Sequence, residues 1–61
     1  MRSITDICKD ADANRNDRVK LYELYGYVKE NEYYYSPSEI QFMMEHITGY
    51  IDNLDKRIIS I

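Results

Sequence analysis

Asp12-Ala13-Asn14-Arg15-Asn16-Asp17-Arg18-Val19-Lys20-Leu21-Tyr22-Glu23 is the stretch on which the reading of this chain turns. Oxygen-bearing side chains stand at alternate positions from Asp12 to Asn16, a β-branched residue follows at Val19, and a glutamate closes the segment at Glu23. A hard cation such as calcium takes six to eight oxygen ligands, and a tight loop presents them in this way. In that arrangement Asp12, Asn14 and Asn16 give side-chain oxygens, Arg18 gives its backbone carbonyl, and Glu23 reaches back with two oxygens.

The flanks of the stretch read as helices. Residues 3 to 11 carry Ile4, Ile7, Cys8 and Ala11 at i, i+3, i+4 and i+7, one face of a helix, with Ser3 and Asp6 at the spacing of a capping pair. On the other side a helix is expected from about Lys20 to Glu32. Leu24, Tyr27 and Val28 form its apolar face, and Leu21 and Tyr25 widen it. Gly26 inside that helix costs about 1 kcal/mol against alanine.

Loop and flanks together resemble an EF-hand over about residues 3 to 30. The resemblance sets the register. Opening the loop at Asp10 would put Asp17 at the β-branched place and Leu21 at the closing position, whereas opening it at Asp12 puts Val19 and Glu23 there. It also implies that the Val19 side chain plugs the core beneath the loop and that its backbone pairs with a second loop. Two positions depart from the pattern: Asp17 stands where glycine makes the sharp turn, and Lys20 stands at a place often held by a water-bridging oxygen. With only Asp12 and Glu23 charged among the ligand side chains, the implied affinity for Ca2+ is low, with a dissociation constant on the order of 0.1–1 mM or weaker. The alternative is a degenerate, metal-free EF-hand in which Asn14 and Asn16 cap turns with their own side chains.

The run from Asp12 through Val28 is also similar to the EF-hand-like segment of bacterial caspase-like (clan CD) cysteine peptidases, where such a loop runs into a Leu/Tyr-rich helix with a tail like Tyr25-Gly26-Tyr27-Val28-Lys29. That family's catalytic His and Cys motifs are absent from the sequence, so only an accessory role carries over. Dockerin modules share the loop but hold two of them, and residues 31 to 61 contain no second one.

Downstream, Ser36-Pro37-Ser38-Glu39 opens a third helix: Ser36 is the N-cap, Pro37 suits the first turn, and Glu39 completes a capping box. Ile40, Met44, Ile47, Ile51, Leu54, Ile58 and Ile61 recur with gaps of four and three, the spacing of a coiled-coil seam, and Met43 and Tyr50 broaden the stripe. From Pro37 to about Ser60 this helix spans ~35 Å at 1.5 Å per residue. Two short helices do not cover such a stripe, so either it bends at Gly49 or a second copy covers the rest. Of Tyr33, Tyr34 and Tyr35, one or two are expected over the junction of the second and third helices, with the remainder on the surface.

Composition bounds the function. The chain has 61 residues, a net charge of −3 and one cysteine, so it is a single small domain without an internal disulfide. It is near the lower limit for folding alone. No basic cluster suits nucleic acid, no segment is apolar enough to span a bilayer, and Met1 to Asp6 lack the apolar core of a signal peptide. A cytosolic chain is the expectation if the sequence is complete. His46 has no second His or Cys at ligand spacing, which excludes a transition-metal site on this pattern, and no enzyme motif is present.

The expectation is therefore an all-α domain: an EF-hand-like helix-loop-helix (residues 1–32), then a linker and a long amphipathic helix (33–61) packed on it as one unit. Its expected role is a structural or accessory calcium-binding module with metal ligands Asp12, Asn14, Asn16, Arg18 and Glu23. The alternative is a metal-free interaction or oligomerisation module acting through the third helix. An unpaired loop edge and a long apolar stripe both ask for a partner, a homodimer or a larger protein.

Overall fold

The computed structural model describes residues 1–59, with side chains through Lys56. It contains α1 (Ile4–Ala13), α2 (Arg18–Glu30) and α3 (Pro37–Ile59), with one turn of 3-10 helix at Glu32–Tyr34 between the last two. No strand occurs among the described residues, and the fold is all-α.

Each helix starts where a side chain satisfies its first free amides. The Ser3 hydroxyl accepts from the Asp6 N–H at 3.1 Å. The Asp17 carboxylate accepts from the Lys20 N–H at 3.2 Å. At α3 the capping box closes in both directions: the Ser36 N–H donates to Glu39 Oε1 at 2.8 Å and the Glu39 N–H to Ser36 Oγ at 3.3 Å. Asn14 and Asn31 end α1 and α2, each turning its amide back to the carbonyl four residues earlier at 2.8 Å.

The helices run up, down and up. Arg2, at the start of α1, meets Tyr27 near the end of α2 and Tyr35 just before α3. At the other end of α1, Asp12 meets His46 and Tyr50, and Arg18 at the start of α2 pairs with Asp55. Short connections allow only this antiparallel order of neighbours.

One apolar core joins all three faces: Ile7 and Ala11 from α1, Leu21, Leu24 and Val28 from α2, and Met43, Ile47 and Ile51 from α3. Ile4, Cys8, Tyr25, Tyr27, Ile40, Met44 and Leu54 pack around it, partly buried. The expected stripe on α3 is thus rotated slightly: Met43 is fully buried, while Met44 sits at the margin. At Gly49, where one of the two alternatives places a bend, α3 continues as unbroken helix. The side chains of Ile58 and Ile61, the last members of the stripe, lie outside the described residues, as do Ser60 and Ile61 altogether.

The N-terminal end is fastened by Arg2. Its guanidinium pairs with Asp6 at 2.6 Å and Asp10 at 2.8 Å and lies 5.9 Å from the Tyr27 ring centre. Its backbone N–H donates to the Tyr27 hydroxyl at 3.1 Å, and its carbonyl accepts from the Tyr35 hydroxyl at 2.6 Å. Tyr35 is therefore the tyrosine that covers the α2–α3 junction, and Tyr33 and Tyr34 stand on the surface.

Candidate functional site

The expected ligand stretch is divided between two helices. α1 extends to Ala13 and α2 begins at Arg18, so only residues 14 to 17 remain outside regular helix. Asp12 is in the last turn of α1. Asn14 and Asn16 are on the connection, and Arg18 and Glu23 are in α2.

Each of these residues has a local reason for its place. Asn14 serves α1, its side-chain amide donating to the Asp10 carbonyl at 2.8 Å and to Asp10 Oδ1 at 3.0 Å. Asp17, at the place where a calcium loop prefers glycine, has φ −112° and works as the N-cap of α2. No described non-glycine residue has a positive φ, so the connection needs no left-handed turn. Arg18 directs its guanidinium to Asp55 on α3. Glu23 lies on the exposed side of α2, 3.6 Å from the Lys20 ammonium. Val19, expected beneath the loop in the core, is 67% exposed in the first turn of α2.

Asp12 has the densest surroundings. One of its oxygens, Oδ1, accepts a hydrogen bond from the Tyr50 hydroxyl and lies 2.8 Å from His46 Nε2. A carboxylate near a helix C-terminus faces the negative end of the backbone dipole; here two donors from α3 offset that cost. They hold the Asp12 carboxyl below its ordinary value, the Tyr50 hydrogen bond contributing most and His46 next. The same bond pushes the Tyr50 phenol up. Cys8, one turn before Asp12, has its thiol raised by burial and then by the Asp12 charge, which lowers its reactivity.

On α3 the aromatic residues form a ladder at i, i+4 and i+8. Phe42 stacks on His46 with ring centres 6.2 Å apart and planes at 24°. His46 meets Tyr50 edge-on, with centres 5.4 Å apart and planes at 84°. This ladder links an exposed Phe42 to the α1–α3 contact through Asp12. The spacing Phe42, His46, Tyr50 is visible in the sequence; what hides it is that its anchor, Asp12, lies 34 and 38 residues away.

Of the expected ligand side chains, the Asp12 carboxylate faces α3 and the Glu23 carboxylate lies beside Lys20, while the ligand expected of Arg18 is its backbone carbonyl. Among the described residues no group of three or more His, Cys, Asp and Glu side chains is placed to share a metal ion. None of the described helices is long and apolar enough to cross a membrane. No protein family matches the chain, and neither the curated proteins nor the solved structures contain a significantly similar one.

Proposed function

We propose that this chain is a metal-independent three-helix interaction module that offers the outer face of α3 to another protein. The observation that carries this reading is the commitment of Asp12: the residue that would open a calcium loop is helical and holds α1 to α3 through Tyr50 and His46. A cation on Asp12 Oδ1 would compete with both of these donors. On the outer face of α3, Phe42 is exposed and adds aromatic contact area of a kind enriched at protein interfaces.

The second reading is the weak calcium module, favoured by the alternating oxygens of Asp12, Asn14 and Asn16 and by the exposed Glu23 carboxylate. Thermal melts in about 10 mM calcium, well above the ~0.1–1 mM range of weak sites, separate the two. The interaction reading expects the same melting temperature with calcium or chelator, and Glu23→Gln indistinguishable from wild type. A rise with calcium that Glu23→Gln abolishes would establish the calcium module instead. Sedimentation at several concentrations distinguishes a homodimer from a monomer that docks on a different protein.

A further inference from the structure

The geometry points to the Phe42–Tyr50 strip of α3 as the docking surface, and to a basic amphipathic segment of a partner protein as its occupant. This deepens the interaction-module reading and rests on it. Phe42 is 57% exposed, yet it does not hang loose, since stacking on His46 and the His46–Tyr50–Asp12 contacts fix the ladder to the bundle. A rigid exposed aromatic loses little freedom when a partner covers it, which makes it a favourable anchor.

Gly49 lies on the same face, two turns beyond Phe42. A Cβ there would meet open space, and the helix does not bend at it. Nothing inside the fold needs a glycine at that position, although glycine in a helix interior costs about 1 kcal/mol. The missing side chain leaves room beside the ladder, two turns beyond Phe42, for a second backbone to approach.

Charge selects the occupant. Glu45 and Asp52, three residues from Phe42 and Gly49 respectively, lie exposed along one edge of the strip, and the half-exposed Asp12 carboxylate lines the other. On the Asp12 edge Arg15 donates to the Asp12 carbonyl at 3.2 Å and offsets that charge, so the stronger anionic row is the Glu45–Asp52 edge. An apolar residue against Phe42 and Gly49, with Arg or Lys toward the Glu45–Asp52 edge, fits this pattern: guanidinium groups stack on aromatic faces and pair with carboxylates. A second copy fits it poorly, because its own strip would bring the same carboxylates face to face.

The test is an NMR titration of the full chain with a synthetic amphipathic helix, a leucine stripe flanked by arginine, and with the same peptide carrying glutamate instead. Amide shifts centred on Phe42, Glu45, Gly49 and Asp52, caused by the basic peptide only, are expected. Phe42→Ala should weaken the complex about ten-fold or more at an unchanged melting temperature, because the ring is largely outside the core. Glu45→Lys with Asp52→Lys should weaken it too, with little left of its salt dependence. Equal binding of the acidic peptide, shifts mapping elsewhere, or no binding by either peptide overturns the assignment. Shifts at other faces would leave the module reading standing while removing this surface. Concentration-dependent shifts of these residues without any peptide would mean that a second copy covers the strip, and would also overturn it.

Discussion

Asp17 shows how one residue type answers two structural demands. In a calcium loop it would occupy the turn position that prefers glycine; in the fold its carboxylate caps α2 through the Lys20 N–H. The two roles respond differently to substitution. As a cap, Asp17→Ala should lower stability by about 1 kcal/mol and Asp17→Gly by only a few tenths, with no gain in calcium affinity for the glycine variant. Chemical denaturation of the three proteins, with and without calcium, measures both. Asp12 responds to pH. Its carboxyl is held below the ordinary value of 3.8 in the fold, so its contribution to stability is fully present above that value and is lost as pH falls through the folded one. The stability difference between wild type and Asp12→Asn should therefore be flat near neutrality and shrink below about pH 4. A difference that grows with acidification would contradict the placement of Asp12 against Tyr50 and His46.

At the level of elements, periodicity and capping signals together place all three helices and most of the core. Ile7, Ala11, Leu24, Val28, Ile47 and Ile51 are buried where their spacing puts them, and the Ser36–Glu39 capping box starts α3 as its residues dictate. Helix ends were less legible. The connection between α1 and α2 is shorter than the Asp/Asn-rich run suggested, because Asn14 and Asp17 act as caps and let helix extend from both sides. Alternation of polar oxygens looks the same whether those oxygens face a cation or terminate helices. The Arg2–Asp6–Asp10 ladder at i, i+4 and i+8 was readable in principle, but its further contacts with Tyr27 and Tyr35 depend on the closed bundle. If the α3 capping box works as described, Ser36→Ala should cost about 1 kcal/mol, and a matching loss should appear in far-ultraviolet circular dichroism melts.

For the whole molecule, the small core sets the margin. Eight of the described residues are buried, and three of the largest, Leu21, Met43 and Ile47, are fully enclosed. Truncating a residue of this kind costs about 2–5 kcal/mol, against a total stability of about 5–15 kcal/mol for ordinary domains. Ile47→Ala should therefore lower stability by about 2–5 kcal/mol and move the melting curve down, whereas Phe42→Ala on the outer face of the same helix should leave it in place. The long-range contacts that define the candidate surface, Asp12 to His46 and Tyr50, could not be read from local spacing, since they require α1 and α3 to lie parallel. That arrangement follows only once both connections turn the chain back.

In the fold, residues 12 to 23 end one capped helix and begin another, joined by a short turn. Backbone carbon chemical shifts across this segment, recorded with chelator and again in about 10 mM calcium, above the range expected of weak sites, test it most directly. The account predicts helical shifts at Asp12 and Ala13 and from Arg18 to Glu23 in both conditions. Non-helical shifts running from Asp12 through Val19 when calcium is added would contradict it.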